Sequence, residues 1–379
     1  MREREFPVTV DTVYLDHAAV APWPRRCAAA ISRFADDNVR AGAACYPQWL
    51  EVEAQTRRLA CQLLGVSDPD DIALVKNTSE GLSMIAHGLA CRPGDNIVIP
   101  SGEFPSNRIP WQSLQPRGVE LRIVDPAAGE SLESALCGAC DENTQLLSVS
   151  SVQYASGYRM DLETLGEFCR ANHILFCVDA IQSLGACRLD ALRCQADFVV
   201  ADGHKWLLAP EGLAIFYSTP AARDRLELHE FGWHMTARPR DFSSPDWQIS
   251  ASARRFECGS PNMLGIHGLH ASLSLLLEIG IERIERQVLA NSGLLLQRLA
   301  LMPAAEVVTD PRPGHHAGIV SFRHRQVTSD RLQQYLLQQR IRCSARAGCL
   351  RLSPHFYNSG AELETVLNLI LKAEFSLAR

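Results

Sequence analysis

The chain has 379 residues, 46% hydrophobic and 21% charged, with a formal net charge of −6. That is the profile of an ordinary globular protein with length for more than one domain, and it offers no basic surface to nucleic acid or to an anionic membrane. The amino terminus MREREFPVTV lacks the apolar core of a secretory signal, and no apolar run reaches the roughly 18–20 residues of a membrane-spanning helix, so cytoplasm is the expected location.

From about residue 50 to 220 two rhythms alternate. Helical patterns at 48–65, 78–90, 106–115, 131–140 and 161–171 are interleaved with the β-rich runs IALVKN, NIVIPS, ELRIVD, QLLSVSS, ILFCVDA, DFVVADG and GLAIFYS. Runs apolar on both faces and separated by helices predict a mainly parallel sheet covered on both sides. Ligands of such sheets bind outside the carboxyl ends of the strands. After 220 the character changes: the Pro-, Arg- and Ser-rich stretch TARPRDFSSPDWQ leads to ARRFECGSPN and then to a long helical segment from about 262 to 301. The strands GIVSFRH and CLRLSP follow, alternating with helices at 328–340 and 360–377, the first with Thr328 and Ser329 as natural N-caps. This last part predicts a smaller α+β domain. No internal repeat, G-x-G-x-x-G, Walker loop or H-E-x-x-H is present.

The counts of single residue types are more telling. Thirteen cysteines, scattered through apolar stretches, suit reduced and buried thiols better than a disulfide framework. Cys137 and Cys140 form a lone C-x-x-C with no partner pair, which reads as a helix end rather than a zinc site. His267 with His270, and His315 with His316, lack a carboxylate or cysteine at ligand spacing, so no metal is expected. Of the 37 basic residues only Lys76, Lys205 and Lys372 are lysines. An arginine stays charged, whereas a lysine amine can lose its proton and attack a carbonyl. Lys205, between two apolar runs in FVVADGHKWLLAP, therefore asks for a chemical role.

Two other segments bear on that role. In KNTSEGLSMIAHGL a strand gives way to a helix, and its N–H groups with the hydroxyls of Thr78 and Ser79 favour an anion. Asn77 to Glu80 also has the spacing of a capping box, which any helix can use. Asp179 ends the apolar strand ILFCVDA, where an unpaired carboxylate is costly; a simple N-cap is the competing explanation. An amine, an anion site and a buried carboxylate are what pyridoxal 5′-phosphate (PLP) requires for its aldehyde, phosphate and pyridine nitrogen. Gln182 lies within reach of its phenolic oxygen.

The run VDAIQSLGACRLDALRCQADFVVADGHKWLLAPEG resembles the core of the class V aminotransferase family, which includes cysteine desulfurases, kynureninases, cysteine–cystine lyases and isopenicillin N epimerase-like proteins. YLDHAAVAP, NTSEGL, GEFPSNRIPW, SVQYASGYRMDL, RFECGSPN and LRLSPHFYN match in the same order, so the resemblance covers nearly the whole chain. It implies a type I PLP-dependent transferase fold, an αβα sandwich with a smaller α+β C-terminal domain. The expected divisions are an N-terminal arm of residues 1–20 reaching the active site, a large domain of 21–260 and a small domain of 261–379. Position by position, it makes Lys205 the Schiff-base lysine and Asp179 the partner of the pyridine nitrogen. Thr78, Ser79 and His204 would hold the phosphate, and Phe104 would stack on the ring. Arg351 would bind a substrate carboxylate. Ser260 matches a residue that reaches the phosphate from a neighbouring subunit, which implies a homodimer with shared active sites. His17, Tyr46, Trp233, His234 and Arg346 lie in segments that border the site in relatives, His17 on the substrate side.

The departures narrow the chemistry. Phe104 stands where desulfurases carry a histidine that both stacks and moves protons. The mobile loop with a nucleophilic cysteine is replaced by the short link SARAGCLRLSP, and Cys349 in it reads as core. Tyr154 replaces an asparagine near the cofactor, as in VQYASG of kynureninase-like sequences. Asp202 stands at a place where a carboxylate should avoid phosphate, so no cofactor contact is assigned to it. The expected enzyme acts at the α-amino group of a small amino acid, as an aminotransferase or a β-lyase cleaving C–S or at Cβ. The alternatives are a desulfurase or epimerase of the same family, or a catalytically silent binding protein.

Overall fold

Strands apolar at every position need cover on both faces, and this chain supplies it with helices. In the computed structural model, which describes residues 2–377, one sheet is formed by β1 (Ile72–Val75), β2 (Asn96–Pro100), β3 (Glu120–Val124), β4 (Thr144–Ser150), β5 (Leu175–Asp179), β6 (Phe198–Asp202) and β7 (Ala214–Ser218). Their order is β1-β7-β6-β5-β4-β2-β3. All pairs run parallel except those of β7, which is antiparallel to both β6 and β1. Alternate residues feed separate cores on the two faces: Phe176 and Val178 of β5 enter one, Leu175 and Cys177 the other. The αβα sandwich expected from the sequence is therefore the architecture found.

Four expected helices form: α2 (Tyr46–Leu64), α3 (Thr78–Gly88), α4 (Leu132–Gly138) and α5 (Leu162–Ala171). α1 (Arg25–Ala41) was not anticipated: it is amphipathic, but its segment is alanine-rich and only Cys27 and Ala30 are buried. The helix expected at 106–115 breaks into short turns at Pro105–Asn107, Ile109–Gln112 and Gln115–Arg117. Pro110 removes an N–H that a continuous helix would need, and Pro105 and Pro116 bound the segment on either side.

The segment expected as one helix at 262–301 is two, α6 (Met263–Ile279) and α7 (Ile281–Ala300), bent by 81°. Gly280 at the bend has φ +90°, a conformation that favours glycine. Ile266, Leu269, Leu273 and Leu276 of α6 join a core of the large sheet, whereas Leu295, Leu296 and Leu299 of α7 join a third core. Ile284 and Val288 at the start of α7 still belong to the core of the large sheet, so packing passes from one core to the other along α7. The third core is closed by β8 (Ala305–Val307), β9 (Val320–His324), β10 (Ser344–Arg346) and β11 (Cys349–Leu352), antiparallel in the order β10-β11-β9-β8, with α8 (Ser329–Gln338) and α9 (Gly360–Leu377). Thr328 caps α8, its Oγ1 accepting from Arg331 N–H at 3.4 Å. The N-terminal arm ties into this domain: Val13–Tyr14 pairs in parallel with Ile341–Arg342, and Leu15 enters the third core. Among the described residues no single helix is long and apolar enough to cross a membrane.

Candidate active site

Each strand near the middle of the sheet ends on a polar residue: β4 on Ser150, β5 on Asp179 and β6 on Asp202. Beyond β6 the chain turns through Gly203 and His204 to Lys205, and Leu208 then takes φ +58°. A buried leucine in the left-handed region is strained; it is held by the bond from Ser272 Oγ to its carbonyl at 2.8 Å. The strand ends open onto a cavity of about 350 Å³. Of the residues expected at the site, Lys205, Asp179, Thr78, Ser79, Phe104, Tyr154, Gln182, His204 and Arg351 all line it, joined by Arg346. Ala18, Ala19 and Val20 of the N-terminal arm complete one wall.

The groups are buried without being neutralised. Asp179 is 1% exposed, and its Oδ1 accepts one hydrogen bond, from Ile181 N–H at 3.0 Å. Burial raises its pKa against the pull of that bond, and Glu103 pushes it further in the same direction. Burial lowers the pKa of the Lys205 amine; Asp179 opposes this and Arg351 adds to it. The Lys205 Nζ lies 5.6 Å from the centre of the Phe104 ring, and Tyr154 meets that ring edge-on at 5.1 Å between centroids. Gln182 is fixed at both ends of its amide, donating to Ala18 O at 3.1 Å and accepting from Trp206 Nε1 at 3.0 Å.

At the other end, Arg351 is carried inward by β11 and is 2% exposed. Its Nη1 donates to Tyr154 O at 2.9 Å, its Nη2 lies 3.7 Å from Asp16 Oδ1, and its buried Nε has no partner. Burial lowers its pKa to about 10, with Asp16 opposing, so it remains a cation at neutral pH. A buried guanidinium with an open edge is suited to an incoming carboxylate.

This donor set fits PLP. Lys205 can anchor its aldehyde carbon, Asp179 its pyridine nitrogen, Phe104 its ring face, and the first turn of α3 at Thr78 and Ser79 its phosphate. Half of the expected capping box forms: Asn77 Oδ1 accepts from Glu80 N–H at 2.9 Å, whereas Glu80 reaches past the cap to Lys76 N–H.

Other residues singled out in the sequence lie outside this cavity. His17 does not line the cavity: it is fully buried, its Nδ1 donates to Ser353 O at 2.8 Å and its Nε2 accepts from Tyr357 OH at 2.5 Å. The substrate role expected for it is withdrawn, because neither ring nitrogen is free. Tyr46, Trp233 and His234 line a different hollow, beside Glu53 and Arg57. Ser260 is exposed and outside the cavity of its own chain. Cys349 is buried on β11 with its Sγ 3.7 Å from Ala347 O, and burial raises its pKa; among the described residues no cysteine lines the cavity. The sequence reading missed Asp16 behind Arg351, although it lies within YLDHAAVAP. It also missed Glu103, a buried carboxylate that accepts from Ser150 N–H at 2.6 Å and Gln153 Nε2 at 2.9 Å. The only signal for Glu103 was an acid beside Phe104 in an otherwise neutral run.

Comparison with known proteins places these features in a wider group. The sequence model of the family "Aminotransferase class-V" matches residues 13–366. A probable cysteine desulfurase of Methanothermobacter thermautotrophicus is 28% identical, over 95% of this chain and 94% of its own. The apo structure of a cysteine desulfurase from Thermococcus onnurineus NA1 superposes with a TM-score of 0.89 at 25% identity, covering 99% of this chain and 98% of that one. C-DES, a cystine C–S lyase, has the same fold in two structures. Its complex with the product cysteine persulfide gives a TM-score of 0.89 at 23% identity, over 96% of this chain and 98% of that one. A mutant with glycine covalently linked to the PLP cofactor gives 0.90 at 22%, over 97% and 98%.

Proposed function

This chain belongs to the aminotransferase class-V family of PLP-dependent enzymes, and we propose that within it the protein is a β-lyase that cleaves the C–S bond of a small sulfur amino acid without passing the sulfur to a cysteine of its own. The observation that carries the proposal is the cavity lining, which among the described residues includes an amine, a carboxylate and a buried arginine and no thiol. Relatives named cysteine desulfurase and cystine C–S lyase support the substrate class.

When bound, PLP supplies an electron sink for negative charge at the Cα of an attached amino acid. The protein's part follows from the residues. Arg351 receives the substrate carboxylate on its open edge and so sets which Cα bond faces Lys205. Lys205, its proton affinity reduced by burial, takes the Cα proton as a base. Asp179 would pair with the pyridine nitrogen and favour its protonated form, a partnership that would offset the cost of burying its own charge. Phe104 covers the ring but holds no proton, so it cannot protonate a product carbon as a histidine there could.

Sharing of active sites between two copies is part of the same reading. Ser260 lies exposed and away from its own cavity, and Phe231, Trp233, Phe242 and Trp247 are exposed in the preceding segment, which suits a homodimer contact. The cytoplasm is the proposed location.

The reaction is tested by product analysis with L-cysteine and L-cystine. β-Elimination gives pyruvate and ammonia in equal amounts. Alanine with enzyme-bound sulfur indicates a desulfurase, and a keto acid without ammonia indicates an aminotransferase; either result overturns the β-lyase reading.

A further inference from the structure

β6 and the turn after it bring two further side chains to the cavity, Asp202 and His204. Asp202 is 5% exposed, and its Oδ1 lies 2.9 Å from His204 Nδ1. The contact is off the direction of an ideal hydrogen bond, yet neither atom has any other hydrogen-bond partner. Buried polar atoms in folded proteins are satisfied, so each is the natural partner of the other.

The surroundings give this pair a direction. Asp202 N–H donates to Thr78 Oγ1 at 3.2 Å, and Ser79 Oγ donates to Ser106 Oγ at 2.8 Å, which groups them at the first turn of α3. Asn77, Thr78, Ser79 and Ser106 are neutral. The two arginines of the lining, Arg346 and Arg351, come from β10 and β11, and Arg351 is engaged with Tyr154 and Asp16. Lys205 is committed to the cofactor's aldehyde carbon. His204, on the turn directly after the Asp202–Thr78 contact, is a lining side chain that can bring positive charge to a phosphate at α3.

A bare carboxylate beside a phosphate is repulsive. A carboxylate that holds an imidazole between itself and the phosphate makes a row of alternating charge. We infer that Asp202 is a positioning residue for the cofactor phosphate that acts through His204, holding Nδ1–H so that Nε2–H donates to the phosphate. Asp202 itself need not touch the cofactor. The inference rests on PLP as the cofactor and is independent of whether the reaction that follows is β-elimination.

The test is equilibrium binding of PLP, and of pyridoxal, which lacks the phosphate, to apo wild type, Asp202→Asn, His204→Gln and the double variant. Binding is read from the visible absorbance of the bound cofactor. The amide of Asp202→Asn keeps the shape and an acceptor but loses the charge. It should weaken PLP about tenfold or more, the scale of one charge-assisted hydrogen bond. In the His204→Gln background the same change should add nothing, and pyridoxal affinity should stay within about twofold throughout, showing the pocket intact. Unchanged or tighter PLP binding in Asp202→Asn overturns the inference. So does a loss that persists without His204, or one that extends equally to pyridoxal.

Discussion

Arg57 and Lys205 are both buried cations, each with two carboxylates in its neighbourhood, and the protein treats them in opposite ways. Arg57 on α2 donates to Glu53 Oε1 at 2.6 Å, to Glu257 Oε1 at 2.6 Å and Oε2 at 2.9 Å, and to Ile72 O at 2.7 Å. Glu257 also accepts from Leu74 N–H at 2.8 Å, so the cluster ties α2 to β1 and to the segment before α6. Burial works against the charge of Arg57, but Glu257 and Glu53 outweigh it and its pKa rises. Around Lys205 burial wins: the amine shifts down, Asp179 shifts up and Arg351 shifts down. Charge that is satisfied by its own fold is a staple; charge left short of partners is poised for a ligand.

The same contrast bears on one cluster of metal-ligating residue types. Glu53, His234 and Glu257 are the one group of such residues close enough together to hold an ion among those described. Arg57 already occupies the space between the two carboxylates, so the group is an ion-pair network with His234 at its edge, 3.6 Å from Glu257.

Four perturbations would break or sharpen the comparison. The largest effect is expected of Lys205→Ala, which should lower turnover by about a thousandfold or more while the protein stays folded. Steady-state rates beside a thermal melt check this, and near-normal turnover would remove Lys205 from the chemistry. Arg57→Met should do the reverse, costing about 3–5 kcal/mol of stability by stranding two buried carboxylates. Its denaturation midpoint should fall, while the folded fraction keeps its PLP absorbance; an unshifted midpoint would mean that the cluster is no staple. Arg351→Ala should raise KM for carboxylate substrates by about tenfold to a hundredfold and leave PLP affinity alone. An unchanged KM would place substrate binding elsewhere.

The smallest effect concerns pH. Asp179 has a folded-state pKa above its unfolded value, so the apoprotein binds its proton more tightly than the unfolded chain does. That contribution to stability is full below the ordinary aspartate pKa and is lost as pH rises through the raised value. Melts of the apoprotein across this range should show a decline that Asp179→Asn flattens. Equal slopes in the two proteins would show that Asp179 is not the group responsible.

Much of the site was readable in the sequence because its residues lie at strand ends, and strand ends are marked where an apolar run stops. Asp179 after ILFCV and Thr78 after IALVKN are of this kind. The lysine scarcity singled out Lys205 without any geometry. His17 was misplaced because it belongs to the same short run as residues that do line the cavity: Ala18 to Val20 face it, whereas His17 turns towards Ser353 and Tyr357. Tyr46, Trp233 and His234 fail for a similar reason, since nothing local says which of two hollows a loop residue will face.

The sequence by itself determined the layered sheet, its direction and most of its helices, because periodicity and proline or glycine punctuation act over a few residues. It also determined the residue types that PLP requires. Only the tertiary structure decided which charges are paired and which are left open. Arg57 and Glu257 are 200 positions apart, and Arg351 and Tyr154 are 197 apart. Whether a buried charge meets a counter-charge depends on what packs against it from distant segments, and the balance of burial against that meeting sets the direction of the pKa shift and separates a staple from a site.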